Sequence, residues 1–190
     1  MALEQETRRF NDQAEFRAWV EENQDSSPGV WVVMAKKGSG QTTVTYAEAL
    51  DVALAYGWID GQARRVDDET YVQKFTPRRP QSPWSMRNVK TAEAMIADGR
   101  MQARGLAEVE RARADGRWDR AYEGSKNAEP HPDFLAALEL NPEAAAFYTT
   151  LSSQNRFAIY YRIQDAKRPE TRARRIESFV EKLSRGEKFS

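Results

Sequence analysis

The chain contains no cysteine and a single histidine among its 190 residues. Without cysteine there is no disulfide framework and no thiolate chemistry, and a reducing compartment is mildly favoured. His131 lies between Pro130 and Pro132, a setting that does not orient an imidazole as a Ser-His-Asp triad requires. Zinc sites built from cysteine and histidine are excluded by the same composition.

Long apolar segments are also missing. No stretch approaches the roughly 18 apolar residues of a membrane span, and the first ten residues, MALEQETRRF, lack the apolar region of a secretory signal. A content of 40% hydrophobic and 31% charged residues is typical of a folded chain with a helix-rich surface. We therefore expect a soluble, cytoplasmic protein, and the sequence indicates no oligomeric state.

Several local patterns predict secondary structure. Thr45 and Glu48 form a capping box, Gly57 is placed to end that helix, and Ser85 is a further helix start. Strands are predicted from β-branched, aromatic or alternating residues at 30–36, 57–62 and 70–76. These elements predict an α+β fold, with a small, mainly antiparallel sheet, helices packed against it and a C-terminal helical bundle.

One linker stands out in the second half of the chain. Residues 127–132 are polar and contain two prolines. We expect an α+β domain with its following helices at 1–126, this linker, and a C-terminal helical domain at 133–190.

Charge is unevenly distributed although the chain is neutral overall. Residues 1–69 carry 7 basic and 13 acidic residues, whereas residues 70–92 carry 5 basic residues and no acid. Within the second block lies a proline-stiffened segment, 71–88, which we call the strap. Guanidinium groups beside aromatic rings suit a planar or phosphorylated anion. The predicted ligand-binding residues here are Lys74, Arg78, Arg79, Trp84, Ser85 and Asn88. A salt-bridged strap paired with acids of residues 1–69 is the structural alternative.

Asp60 is unusual because aspartate is disfavoured in a short strand. If Trp58 and Asp60 share one face, as residues i and i+2 do, a carboxylate stands beside an indole. Asp60 is then a polar anchor, or a general base in a pocket across from the strap. It could equally be a structural partner of Arg64, Arg78 or Arg79.

The other motifs are weaker indications of a ligand or metal site. The loop Lys36–Thr43 follows a strand but matches neither the Walker pattern nor G-x-G-x-x-G, so we interpret it as a flexible connection. The acids Asp67, Asp68 and Glu69 are adjacent and predict a solvated turn rather than a magnesium site. No metal and no cofactor is expected, and neutral charge without a recognition-helix signature makes double-stranded DNA a poor candidate partner.

Four stretches together resemble the YdeI/OmpD-associated family, also called bacteriocin-protection proteins. They are VWVVMAKKGSG, YAEALDVALAYGWIDGQ, YVQKFTPRRPQSPWSMRNV and AKRPETRARRIESFVEKLSRGEK. The resemblance extends from about residue 10 to 188. It implies a bacterial origin and a setting in envelope stress or resistance to antimicrobial peptides, but no catalytic residues or cofactor.

Three functions follow as hypotheses. The first is binding of an anionic small molecule or phosphorylated group by the strap, with Trp58 and Trp84 as stacking faces. The second is an enzyme in which Asp60 is the general base of an arginine-lined pocket. The third is a protein-interaction module that uses the helical half, where Arg172, Arg174 and Arg175 lie on the last helix.

Overall fold

The computed structural model describes residues 5–125 and 127–187. The chain divides into two compact units, Met1–Ala121 and Tyr122–Ser190. Each unit has a hydrophobic cluster of its own. The linker predicted at 127–132 stays a prediction; helix α5 of the second unit begins at Pro132.

The first unit combines a sheet with four helices. Its elements are β1 (Thr7–Arg9), α1 (Gln13–Asn23), β2 (Val30–Ala35), α2 (Tyr46–Ala55), β3 (Trp58–Arg65), β4 (Thr70–Pro77), α3 (Met86–Ala97) and α4 (Ala103–Ala114). The strand order is β1-β2-β4-β3; β1 pairs parallel with β2, and the other two pairings are antiparallel. The predicted α+β class and mainly antiparallel sheet are confirmed. Strand β1 was missed because its three exposed residues show no alternation.

The two faces of the sheet differ in burial. On β2, Val30, Val32 and Met34 are buried while the residues between them are half-buried. Val30 pairs with Phe75 of β4, which is also fully buried. Since successive side chains of a strand alternate, Val30 and Phe75 mark the inner face, and Trp31 with its partner Lys74 marks the outer face.

Two glycines allow α2 and α4 to approach each other. Gly57 ends α2 at φ +73°, and a Cβ there would lie 3.0 Å from the carbonyl oxygen of Arg104. At Gly105 a Cβ would lie only 2.2 Å from the carbonyl oxygen of Ala55. Only glycine fits such a close helix crossing, and β3 begins at Trp58, directly after Gly57.

The second unit is helical throughout its described residues. Its helices are α5 (Pro132–Glu139), α6 (Pro142–Thr150), α7 (Ser153–Gln164) and α8 (Pro169–Ser184). Helix α8 packs against the other three and buries Ile176, Phe179 and Leu183, a spacing of three and four residues. The predicted C-terminal helices are thereby confirmed. Among the described helices, none has the length and apolar character needed to cross a membrane.

Candidate functional site

The residues predicted to bind a ligand lie in three kinds of environment. Four are buried, three are half-buried and one is exposed. The buried set is Trp58, Arg78, Trp84 and Asn88; the half-buried set is Asp60, Lys74 and Ser85; the exposed residue is Arg79. Because their burial differs, the surroundings of each residue are described in turn.

Arg78 and Trp84 form a buried stack within the strap. The guanidinium carbon of Arg78 lies 3.6 Å from the centroid of the Trp84 ring, and its Nη1 donates to the carbonyl oxygen of Pro83 at 3.1 Å. Only 6% of Arg78 and 2% of Trp84 are exposed. The ring of Trp118 lies 4.8 Å from Trp84. Protein therefore surrounds both side chains, which act as scaffold in this structure.

A second guanidinium holds the strap from the end of α4. Arg117 donates from Nη1 to the carbonyl oxygen of Ser82 at 2.8 Å and from Nε to Asp115 at 2.8 Å. Ser85 is the N-cap of α3, accepting a bond from the backbone N–H of Asn88 at 3.2 Å. These bonds fix the backbone of the strap at Ser82 and at the start of α3.

Trp58 belongs to the core of the first unit. It is 0% exposed, and its ring meets that of Trp19 edge to face at 6.0 Å. It shares the inner face of the sheet with Asp60, as the spacing predicted. A fully covered indole presents no face on which a ligand could stack.

Asp60 is held by a tyrosine, not by an arginine. Tyr46, the first residue of α2, donates its hydroxyl to Oδ2 of Asp60 at 2.8 Å. Burial raises the pKa of Tyr46, and the nearby carboxylate of Asp60 raises it further. Arg87, 5.8 Å above the Tyr46 ring, opposes this shift in pKa. The phenol is thus a stable proton donor, and Oδ1 of Asp60 has no hydrogen-bond partner among the described residues.

Tyr46 also lines a cleft of about 410 Å³ beneath the glycine-rich loop. We call it the loop cleft. The residues that line it are Met34, Ala35, Lys36, Lys37, Gly38, Gly40, Gln41, Thr42, Thr43, Val44, Thr45, Tyr46 and Tyr71. Burial raises the pKa of Tyr71, so both tyrosines of the cleft stay protonated at neutral pH.

Sequence reasoning missed these two tyrosines. The capping box located the start of α2, but no pattern indicated that Tyr46 reaches Asp60.

The start of α2 is already occupied by its own capping box. Glu48 accepts from the backbone N–H of Thr45 at 2.9 Å and from its hydroxyl at 2.7 Å. These bonds, the backbone one first, lower the pKa of Glu48. A carboxylate at the helix N-terminus repels a second anion there, so any anion in the loop cleft must use the loop instead.

A second, larger cleft of about 570 Å³ lies beside α1 and α4. Its charges are largely paired internally. Arg104 forms an ion pair with Asp25, and Arg111 bonds both carboxylate oxygens of Glu108 at 2.9 and 3.1 Å. Paired charges offer a ligand less than the open polar groups of the loop cleft.

The remaining motifs have structural roles. His131 caps α5, accepting at Nδ1 from the N–H of Asp133 at 3.2 Å. Asp67 accepts from the N–H groups of Glu69 and Thr70, as in a tight turn. Within residues 5–125 and 127–187 no group of three or more His, Cys, Asp or Glu side chains could hold a metal ion.

The arginines of the last helix are partly engaged within the second unit. Arg172 donates to the carbonyl oxygen of Ala166 at 3.4 Å, and Arg175 contacts the carbonyl of Arg162 and the carboxylate of Asp165. Arg174 is exposed. This row of cations therefore serves in part to fix α8 against the end of α7.

Two family models match the chain, one in each unit. Residues 8–108 match a model described as a domain of unknown function (DUF8412), and residues 127–186 match one described as "Bacteriocin-protection, YdeI or OmpD-Associated". The resemblance to the second family is thereby confirmed for the C-terminal region, while the loop cleft falls within the first match. Neither the curated proteins nor the solved structures contained a match.

Proposed function

Since this chain belongs to the family described as a domain of unknown function (DUF8412), we propose its function from the geometry of that region. It binds, in the cytoplasm, a small anionic or phosphorylated molecule in the loop cleft. The observation that carries the proposal is a cleft of about 410 Å³ lined by Tyr46, whose hydroxyl is held at 2.8 Å by Asp60. That volume is within the range of small-molecule sites.

The residues at the rim of the cleft favour a ligand with a negatively charged group at one end. Lys37 is exposed and has no ion-pair partner among the described residues. Gly38 and Gly40 adopt φ values of +87° and +72°, and backbone N–H groups in such turns form concave anion sites. A phosphate or carboxylate at this rim would meet the ammonium group of Lys37, that of Lys36, which also donates to the carbonyl oxygen of Asp67 at 2.6 Å, and neutral donors.

The tyrosine side of the cleft favours a ligand that carries hydrogen-bond donors. The hydroxyl of Tyr46 already donates to Asp60, so its oxygen can only accept from a ligand. A hydroxyl or amino group of the ligand satisfies this acceptor. The chemistry that fits both ends is a small phosphorylated or carboxylated molecule with hydroxyl or amino groups, such as a sugar phosphate.

A thermal-shift screen of nucleotides, sugar phosphates and polyanions, followed by calorimetry, tests the proposal. Tyr46→Phe removes one hydroxyl and should weaken a hit about 5- to 10-fold. Lys37→Ala should weaken it in a salt-dependent way. Tyr148→Phe and Lys90→Ala change matched residues outside the cleft and should leave affinity unchanged. A ligand bound equally by all four variants would contradict the assignment.

The second match supports a biological setting. Residues 127–186 resemble a family named for bacteriocin protection, and we propose that ligand binding serves resistance to bacteriocins or related stress. A strain that lacks the gene should become more sensitive to a bacteriocin, and the wild-type gene should restore resistance. If the Tyr46→Phe gene restored resistance fully, resistance would not depend on ligand binding in the loop cleft.

An enzyme with Asp60 as general base is a second candidate, supported by the same Tyr46–Asp60 bond. Asp60 would then take a proton relayed through the phenol, with Arg87 as the nearby cation. Asp60→Asn keeps the shape of the side chain. If Asp60→Asn abolishes turnover of a bound ligand while binding persists, Asp60 acts in catalysis. If turnover is unaffected by the substitution, Asp60 is not the general base.

A protein-interaction role for the helical half is a third candidate, supported by the words "OmpD-Associated" in the name of the matched family. Reversing the charge of the exposed Arg174 tests this surface in a pull-down. Partners retained unchanged would count against it.

A further inference from the structure

The outer face of the sheet carries an aromatic ring between two cations. Trp31, the second residue of β2, is half-buried and pairs directly with Lys74 of β4. The guanidinium carbon of Arg64, on β3, lies 4.3 Å from the centroid of the Trp31 ring, and Nζ of Lys74 lies 5.5 Å from it. Three adjacent strands thus bring one indole and two positive charges together.

No acid neutralises these charges in the part of the chain that the structure describes. The side chains of Arg64 and Lys74 form no ion pair and no hydrogen bond with another described side chain, and each makes a cation–π contact with Trp31. Like charges at close range repel each other, so the arrangement gains most when an anion binds between them. The outer face therefore carries two positive charges that a bound anion would balance.

We propose that this outer face binds single-stranded nucleic acid. Trp31, together with the guanidinium plane of Arg64, is a platform on which a base stacks, and Arg64 and Lys74 contact the flanking phosphates. The proposal goes beyond the loop cleft, because none of these three residues lines that cleft.

The shape of the surface selects among anions. A small ligand requires a concave site that covers most of its surface, whereas a strand face offers an extended row of contacts suited to a chain. A duplex hides its base faces within the stack, so it could use the cations but not the indole. An acidic peptide or polyphosphate likewise has no planar rings for Trp31. Only an unpaired strand uses all three side chains.

The expected affinity is modest and its salt dependence shallow. Each phosphate neutralised by the protein contributes a slope of about −0.7 to the plot of log K against log salt for single strands. Two cations predict a slope of about −1.4, which is consistent with a chain of zero formal net charge.

Fluorescence anisotropy of a labelled 15-nucleotide single strand, titrated with the full chain, tests the proposal. Trp31→Ala should weaken binding roughly 5- to 150-fold, the range for one stacked base, and Trp31→Phe should recover part of that loss. Arg64→Ala and Lys74→Ala should each weaken binding about 3- to 10-fold and each flatten the salt slope by about 0.7. Arg79→Ala and Lys90→Ala remove exposed cations elsewhere and should change neither quantity.

Competition separates the other occupants. Unlabelled single strand should displace the probe at much lower concentration than a duplex of the same sequence, polyphosphate or polyglutamate. Equal competition by polyphosphate, with Trp31→Phe and Trp31→Ala binding like wild type, would overturn the proposal in favour of a general polyanion surface. Loss of binding in Arg79→Ala as large as that in Arg64→Ala would also overturn it. If Trp31→Ala does not fold, the Trp31→Phe, Arg64→Ala and Lys74→Ala variants decide the outcome.

Discussion

Among the arginine–tryptophan contacts of the first unit, the two shortest have similar geometry and different surroundings. In the strap, Arg78 lies 3.6 Å over Trp84 and both are almost completely buried. On the outer sheet face, Arg64 lies 4.3 Å over Trp31, which is half-buried, and Arg64 itself is exposed. Of these two stacks, one thus lies inside the fold and the other on its surface.

Surroundings decide what each stack can do. A desolvated cation–π contact is worth about 2 kcal/mol or more, whereas an exposed one is worth about 0.5–1 kcal/mol. Nη1 of the Arg78 guanidinium also donates to the carbonyl oxygen of Pro83, and burial keeps this guanidinium from an outside ligand. Arg64 has no such bond among the described residues and remains available to a ligand. The buried stack stabilises the fold, and the exposed stack is the better candidate for recognition.

The largest expected difference is between the two tryptophans. Trp84→Ala should lower the free energy of unfolding of the first unit by about 3–5 kcal/mol, because it leaves a large cavity beside Trp118. Trp31→Ala should cost about 1 kcal/mol or less. All five tryptophans, at positions 19, 31, 58, 84 and 118, lie in the first unit. Urea unfolding followed by tryptophan fluorescence therefore reports on this unit. Equal losses in the two variants would contradict the comparison.

Replacing the arginines should give the next largest difference. Arg78→Ala should cost about 2–4 kcal/mol, since it uncovers the Trp84 ring and leaves the Pro83 carbonyl without its donor. Arg78→Lys should restore little, because an ammonium group does not reproduce a planar fork. Arg64→Lys should be nearly neutral for stability. Urea unfolding of the three variants measures this, and full rescue by Arg78→Lys would show that the charge alone matters.

Sequence patterns predicted the elements of the first unit better than the roles of their side chains. The capping box of Thr45 and Glu48, the helix end at Gly57 and the N-cap at Ser85 all occur where local spacing predicted them. Such signals depend on residues within one turn of each other, so the sequence contains them in full. Strand β1 has only three residues and depends on pairing with β2, which no local pattern encodes.

The candidate site depends on contacts between residues distant along the chain. The basic run of the strap was visible in the sequence, but the burial of Arg78 and Trp84 results from packing against residues 115–118. The bond between Tyr46 and Asp60 joins a helix start to a strand 14 residues later. Arg64 was predicted as a possible partner of Asp60, yet a bulge between Asp60 and Ala63 shifts the register, and Arg64 lies over Trp31 on the outer face.

The Tyr46–Asp60 pair is half-buried, between the buried and the exposed stack. The titration of Tyr46 should reflect this partial burial. Burial is the main cause of the raised pKa of Tyr46, and the carboxylate adds to it. Asp60→Asn should therefore lower the pKa of Tyr46 but leave it above the ordinary value of 10.0. The near-ultraviolet absorbance of tyrosinate, taken as the difference between each protein and its Tyr46→Phe counterpart, measures this.

The same shift predicts how stability depends on pH. A tyrosine whose pKa is higher in the folded state favours folding fully below its unfolded pKa. Its contribution is lost as pH rises from about 10 toward the folded pKa. Wild type should lose stability in this alkaline range more steeply than Tyr46→Phe, which has no phenol at this position. Parallel alkaline profiles for the two proteins would indicate that Tyr46 titrates like a solvent-exposed tyrosine.

The smallest expected effect is the coupling within the exposed stack, and it sharpens the comparison most directly. A double-mutant cycle with Trp31→Ala and Arg64→Ala should give an interaction free energy of about 0.5–1 kcal/mol, against about 2 kcal/mol for the matching cycle at Trp84 and Arg78. Because water and salt reach the exposed pair, its coupling should shrink in high salt while the buried one persists. Urea unfolding at two salt concentrations measures both cycles. A coupling at Trp31 and Arg64 as large and as salt-resistant as the buried one would mean that the outer stack is also structural, and the outer face would then have no free arginine to offer a nucleic acid.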